Sequence, residues 1–196
     1  MKPLPRSFYQ RSAVQVARDI LGKYFVRKLG NKTLIGKIVE TEAYCEGDPA
    51  SHSYRGKTKR NEVMFWQGGH LYVYFTYGMH FCANVVTGSE GKGEAVLIRA
   101  VEPIEGIEVM RKYRFAVPSS QDRAASDLTN GPAKFCQAFG IGRQENGTDL
   151  LGKQIFITHG ENIPPHKRGR SSRVGIRNGK EKQWRFFVKG NPWVSK

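Results

Sequence analysis

The sequence predicts an α+β fold: a single mixed domain over residues 1–196, built on a curved, largely antiparallel sheet with a protruding β-hairpin and flanking helices. Two observations predict it. Residues 24–44 and 71–86 each read as strand, turn and strand, rich in β-branched and aromatic side chains. Around them lie short segments of helical periodicity punctuated by glycine and proline. A length of 196 residues, with 39% hydrophobic and 25% charged side chains, suits one compact core.

In chain order, Val14, Ala17, Ile20 and Leu21 fall at helical spacing within residues 11–21, and Gly22 supplies the stop. Tyr24–Leu29 and residues 33–44 read as paired strands joined at Gly30-Asn31. Residues 71–86 read as a second hairpin, broken by Tyr77-Gly78, with its tip near Tyr77 and with Val73, Phe75 and Phe81 in the core. The apolar run 95–100, interrupted only by Arg99, suits a buried strand. A helix is expected from Glu102-Pro103, with Ile104, Ile107 and Met110 facing inward. Another is expected from Asn130-Gly131-Pro132 to Phe139, stopping at Gly140. Residues 150–158 and 184–188 read as further strands, and the basic stretch 159–182 as a surface loop.

Charge bounds the function. Thirty-two Lys and Arg against seventeen Asp and Glu leave a net charge of +15, which implies an anionic partner. Nucleic acid comes first among such partners, because the basic residues are interleaved with aromatics instead of gathered in a tail. Cys45, Cys82 and Cys136 are odd in number and widely spaced, so neither a disulfide framework nor a structural zinc site is expected. No apolar run reaches the length of a bilayer span, and residues 1–6 lack the apolar segment of a secretory signal. An intracellular location, in a bacterial cytoplasm, is the expectation.

Two constellations carry chemistry. In Val39-Glu40-Thr41-Glu42-Ala43-Tyr44, strand alternation would put Leu34, Ile38, Glu40, Glu42 and Tyr44 on one face if the chain stays extended. Such a face can be a strand closing on solvent. It can equally set a carboxylate beside an aromatic platform, where a glutamate activates a water as general base. Arg99, inside an apolar strand, needs a partner, and Glu40, Glu42 and Glu102 are the candidates. In Leu71-Tyr72-Val73-Tyr74-Phe75-Thr76-Tyr77-Gly78-Met79, Tyr72 and Tyr74 share a face, while Tyr77 sits at the tip, where polar residues belong. An aromatic tip beside a positive field suits insertion into stacked bases, and Tyr44, Tyr74 and His52 offer flat surfaces for an extruded one. Taken alone, His52 and Asn84 are equally explained by packing or by backbone hydrogen bonding. Asn130-Gly131-Pro132-Ala133-Lys134 is either a plain helix cap or a phosphate cradle. Lys167, Arg168, Arg170, Arg173, Arg177, Lys180 and Lys182 form a second basic cluster suited to a nucleic-acid backbone.

These residues resemble the alkyladenine (3-methyladenine) DNA glycosylase family. The likeness runs from about Ala13 to Ser195 through five ordered motifs. They are Gly36-Lys37-Ile38-Val39-Glu40-Thr41-Glu42-Ala43-Tyr44, the Leu71 to Met79 hairpin, Leu97-Ile98-Arg99-Ala100-Val101-Glu102-Pro103, Asn130-Gly131-Pro132-Ala133-Lys134, and Gly190-Asn191-Pro192-Trp193-Val194-Ser195. The resemblance implies an enzyme that flips alkylated or deaminated purines from duplex DNA and hydrolyses the N-glycosidic bond, leaving an abasic site. It implies Glu42 as general base, Arg99 and the Val174 carbonyl as positioners of the water, and Tyr44 as one wall of the base site. It implies His52 and Tyr74 as the other wall, Asn84 as the group that crowds a guanine amine, and Tyr77 as the wedge. Met79, Lys134 and Arg173 are assigned to the DNA backbone. No cofactor or metal is expected; the partner is double-stranded DNA bearing a damaged base, without membrane, and a monomer is expected. A non-catalytic binder of damaged nucleic acid would keep the hairpin and the basic face but has no use for Glu42 and Arg99 together. A zinc deaminase would need a His-x-Glu and a Pro-Cys-x-x-Cys, which the sequence lacks.

Overall fold

A computed structural model describes residues 1–115 and 125–195. Eight strands form one antiparallel sheet. They are β1 (Tyr24–Leu29), β2 (Lys32–Tyr44), β3 (Leu71–Thr76), β4 (His80–Val86), β5 (Ala95–Glu105), β6 (Ile155–Thr158), β7 (Arg168–Ser171) and β8 (Arg185–Val188). The strand order is β3-β4-β5-β2-β1-β6, and β8 joins β2 to β7. Among the described residues four α-helices pack around it: α1 (Arg6–Tyr9), α2 (Ala13–Asp19), α3 (Ile107–Arg114) and α4 (Pro132–Ala138). The expected α+β class, with its curled antiparallel sheet, is what the structure has.

The organising strand is β2, 13 residues long. Its first half pairs with β1 along one edge, and its second half pairs with β8 along that same edge. Its other edge pairs with β5 from Ile35 to Tyr44. The core lies on the face covered by α2 and α4. Phe25 meets Phe135 and Phe139 edge to face, with centroids 5.0 and 5.5 Å away. Ser12 caps α2 by accepting the Gln15 N–H, and the Thr41 hydroxyl donates to the Ala17 carbonyl at 2.8 Å, which ties α2 to β2.

A paired irregularity in β2 and β5 corrects the expectation of one continuous face. Ile38 pairs with Val101 but Glu40 pairs with Ala100, so Val39 is an extra residue on β2. The next pair is Thr41 with Ile98, so Arg99 is an extra residue on β5. Before the bulge Leu34 and Ile38 enter the core; after it Val39 and Ala43 do. Glu40, Glu42 and Tyr44 are thereby turned to the opposite face, and Leu34 and Ile38 do not share it. Alternation fails here because one inserted residue shifts the period of two by one step.

Other differences have local causes. No helix starts at Glu102-Pro103: β5 runs through both to Glu105. Pro103 is tolerated in the strand because it stands opposite Gly36 at a second register shift. The helix begins only after Gly106, whose φ of 77° breaks the strand. Of the three residues expected to face inward, Met110 is buried, whereas Ile104 and Ile107 are exposed. On the second hairpin Val73 is core, but Phe75 is exposed and Phe81 only half-buried, since the hairpin projects past the core. The strand expected over 150–158 is confined to Ile155–Thr158, and the loop expected over 159–182 contains β7. No described helix is long and apolar enough to cross a membrane. The three cysteines are free, and no metal-holding group of His, Cys, Asp or Glu occurs among the described residues.

Deleting Thr41, just past the bulge, would turn either Glu40 or Glu42 with Tyr44 to the core face, because one missing residue shifts the alternation by a step. We expect that deletion to abolish soluble expression or to cost more than about 4 kcal/mol in urea unfolding, well beyond an ordinary point change. An unchanged unfolding midpoint would contradict the facing given to these residues past the bulge.

Candidate active site

Past the bulge, two carboxylates and two guanidiniums meet with little or no exposure to solvent. Glu42 is fully buried, and its Oε1 accepts the Val174 N–H at 2.7 Å and faces Arg99 Nη1 at 3.3 Å. Its Oε2 accepts the Tyr44 hydroxyl at 2.8 Å. Glu40, also fully buried, accepts from Arg99 Nε at 2.8 Å, Arg185 Nε at 2.6 Å, and the Ser195 N–H and hydroxyl at 2.6 and 2.8 Å. Arg99 also donates to the Ser195 hydroxyl at 3.2 Å, and Arg185 to the Ser195 carbonyl at 3.0 Å. Burying one such ion alone costs several kcal/mol; here the four formal charges cancel and nearly every lone pair is taken. Burial works against the charge on Arg99, but Glu42 and Glu40 outweigh it and raise the guanidinium above its ordinary range. The third candidate partner, Glu102, is elsewhere, paired with Lys37 at 3.0 Å and with Asn191 at 2.7 Å.

Tyr44 joins this cluster to a cavity, partly open to solvent, lined by Tyr44, Ala50, His52, Met64, Tyr72, Tyr74 and Asn84. Four of the residues expected in the base site therefore do converge on one space. Tyr72 and Tyr74 stack at 5.5 Å and 30°, and His52 meets Tyr74 edge-on at 4.4 Å. The Tyr72 hydroxyl and His52 Nδ1 are 3.0 Å apart. Asn84 Nδ2 donates to the Tyr72 carbonyl at 3.2 Å. Partial burial, helped by Arg60, lowers the His52 pKa, so the ring is neutral at pH 7. Burial pushes the Tyr72 hydroxyl up to about 12, and the Tyr44 and Tyr74 hydroxyls are raised too, by burial first, so all three stay protonated donors. The chamber is thus walled largely by neutral aromatic rings, and one of them, Tyr44, is hydrogen-bonded to the buried Glu42.

The remaining expected residues lie around the mouth or behind the wall. Tyr77 is 87% exposed at the hairpin tip. It holds a left-handed φ of 51°, followed by Gly78 at 67°, the type I′ pattern that glycine and asparagine favour and tyrosine does not. Met79 beside it is exposed. Lys134 Nζ is held by Asp127 at 2.5 Å and Asn130 at 2.8 Å, with the side chain about one-third exposed. Val174 meets Glu42 through its N–H, where the sequence reading had placed its carbonyl on a water. Arg173 differs from the expected phosphate contact: its side chain is fully buried against Asp48. Burial favours a higher pKa for Asp48, but Arg173, the Ala50 N–H and Lys182 overcome this and hold the carboxyl below its usual range.

Sequence reasoning missed Arg185, Ser195, Asp48 and Tyr72 as parts of this assembly. Ser195 stood in a quoted motif without a role, and Tyr72 was paired with Tyr74 by parity. Asp48 and Arg185 carried no signal. Truncating Glu40 to alanine leaves Arg99 and Arg185 without their shared carboxylate, so Glu40→Ala is expected to destabilise by about 3–5 kcal/mol. Equilibrium urea unfolding reads this; a loss under about 1 kcal/mol would contradict the arrangement.

The comparisons with known proteins identify the family. A family model described as methylpurine-DNA glycosylase matches residues 7–192. Three relatives share the name "Putative 3-methyladenine DNA glycosylase". The one from Carboxydothermus hydrogenoformans is 51% identical over 98% of both chains. That from Chlorobium phaeovibrioides is 47% identical over 100% of this chain and 97% of its own. That from Burkholderia lata is 48% identical over 98% and 90%. With the family matched over nearly the whole sequence, the chain belongs to the methylpurine-DNA glycosylases: it is a monofunctional DNA glycosylase, a hydrolase of N-glycosyl bonds whose partner is DNA.

Proposed function

We propose that the enzyme takes alkylated or deaminated purines out of duplex DNA and cleaves their N-glycosidic bond with a water activated by Glu42. The observation that carries this reading is the position of Glu42. An ionised carboxylate offers about four lone-pair sites, and three are occupied by Val174, Arg99 and Tyr44. The fourth is left for a water, and the Tyr44 hydroxyl ties this carboxylate to a ring that lines the chamber together with His52 and Tyr74. In the proposed reaction the water oxygen bonds to the anomeric carbon and the carbon–nitrogen bond breaks. The bonding pair leaves with the base, and the water's proton passes to Glu42. Arg99 fixes the orientation of Glu42 and shares the charge that develops.

Extrusion is the other half of the reading. Tyr77, exposed on a strained turn, displaces the nucleotide and fills the gap it leaves. Unstacking costs a few kcal/mol, least for a weakly paired damaged base. Stacking against Tyr44 on one side and Tyr74 with His52 on the other returns about 1–3 kcal/mol per aromatic contact. Alkylated purines such as 3-methyladenine carry positive charge and leave readily; neutral lesions such as hypoxanthine or ethenoadenine need a proton on the departing base. Asn84, fixed by the Tyr72 carbonyl, narrows the pocket where a guanine amine would project. Among the described residues no lysine lines the chamber, which fits a water, not an amine, as the nucleophile. The net charge of +15 supplies the attraction for the phosphate backbone. We place the enzyme inside the cell, acting as a monomer and as one domain.

The test is a duplex holding a single hypoxanthine, scored for abasic sites under single-turnover conditions. Glu42→Gln keeps the shape and is expected to lower release at least about 10²-fold, the scale of general-base catalysis, with lesion binding retained. Release at the unaltered rate would remove Glu42 from its role. Binding without turnover by the unaltered protein would favour a non-catalytic binder instead.

A further inference from the structure

Behind the Tyr44 ring sits a cation for which the proposed reaction has no use. The Arg173 guanidinium lies 4.7 Å from the Tyr44 centroid and 5.3 Å from that of Trp184, sandwiched between the two rings. Its side chain is fully buried. It pairs with Asp48 and donates to the Ala43 carbonyl at 3.0 Å. Its Nε is buried without a hydrogen-bond partner. Tyr44 lines the base chamber and Arg173 does not, and from this we infer that the guanidinium covers the ring face turned away from the chamber. The space is built for it. Gly179, at φ 73°, has no room for a side chain: a Cβ there would lie 2.9 Å from Arg173 Nη2 and 3.0 Å from Asp48 Oδ1.

A buried guanidinium with an unsatisfied Nε is a poor choice for packing alone, since an apolar side chain fills such a slot without desolvating a charge. Its distinctive property is a flat positive charge against a π face. Aromatic faces attract cations through their negative quadrupole. A ring already engaged by one cation attracts a second on its opposite face less, because the cloud is drawn back and the two charges repel. Asp48 does not cancel this effect. Lys182 Nζ is 3.5 Å from the same carboxylate and 4.6 Å from the Trp184 ring, so Asp48, Arg173 and Lys182 together keep one net positive charge behind the platform.

We propose that Arg173 is a specificity-determining residue: by occupying the rear face of Tyr44 it tilts the base site toward neutral damaged purines and away from cationic alkylated ones. This rests on the reading of Tyr44 as the stacking platform. Arg173 touches no reacting atom and acts through Tyr44. It also anchors the segment whose next residue, Val174, holds Glu42.

The experiment compares release of 7-methylguanine, cationic in DNA, with release of hypoxanthine, neutral. Single-turnover rates at saturating enzyme are each divided by the spontaneous rate for that base. The double variant Asp48→Asn with Arg173→Gln, made in a Lys182→Gln background, removes all three charges together. The cationic-to-neutral ratio is expected to rise about three- to tenfold, the range of one cation–π contact, and Arg173→Lys, which keeps the charge, should leave it near the original value. An unchanged ratio, including one in which both rates fall in proportion, assigns Arg173 to scaffolding and overturns the proposal. Should the double variant not fold, the unaltered enzyme still decides. By NMR titration it should bind 1-methylnicotinamide, a flat cation, no more than about threefold tighter than neutral nicotinamide, and a preference above about tenfold overturns the proposal. Tyr44→Leu in the release assay separates the two readings. If it leaves both rates intact, the platform itself is wrong; if it lowers both while the Arg173 ratio stays fixed, only the specificity role fails.

Discussion

Two carboxylates and two guanidiniums share one buried space between β2, β5, β8 and the C-terminal segment, and the site exists because that arrangement closes. None of the four groups is affordable there by itself. Glu40 takes a guanidinium from β5, another from β8 and two donors from Ser195. With Glu40 saturated, Arg99 can extend a second nitrogen to Glu42. Glu42 is then fixed from three directions, by Arg99, the Val174 N–H and the Tyr44 hydroxyl, without being neutralised by a close, bidentate pair. A structural ion pair thus braces a buried carboxylate whose partner Tyr44 lines the chamber. Fixed donors arranged before the reaction cost nothing to reorganise during it.

The same constraint explains features that local rules disfavour. Consecutive bulges in β2 and β5 interrupt both ladders, yet they alone bring Glu40, Glu42 and Arg99 to one side of the sheet. A tyrosine holds a left-handed turn position and exposes its ring to solvent. A guanidinium is buried behind another tyrosine with one N–H unmet. These departures gather around one chamber, and such gathering is what distinguishes a working site from defects scattered through a fold. The bulk of the molecule obeys the rules: the aromatic cluster of Phe25, Phe135 and Phe139 and the helix packing on the other face provide the rigidity against which the site is held.

Much of this was legible in the sequence where short-range signals suffice. The two hairpins, α2, α4 and the tip at Tyr77 follow from periodicity and from turn residues. The convergence of Tyr44, His52, Tyr74 and Asn84 came through family likeness, since His52 and Asn84 have no motif of their own. What was hidden is long-range or depends on a single inserted residue. Alternation put Leu34 and Ile38 with Glu40 because nothing in Val39 announces a bulge. Pro103 looked like a helix start because its strand tolerance depends on Gly36 across the ladder. Arg173 read as one more charge in a basic run, and only its distant partner Asp48 and the rings of Tyr44 and Trp184 show that it lies inside. Glu40 and Glu42 were equivalent candidates by residue type, and their division of labour is decided by Arg185 and Ser195, some 145 and 155 residues further along the chain.

The most direct measurement of the central claim is a crystal structure of the enzyme on a duplex carrying a lesion nucleotide that resists hydrolysis. The account predicts the damaged purine between Tyr44 and Tyr74, with an ordered water bonded to Glu42 and within about 3–3.5 Å of the anomeric carbon, the separation of a near-attack geometry. A purine bound elsewhere, or seated in the chamber with Glu42 still sealed behind Tyr44 and no solvent reaching it, would contradict it.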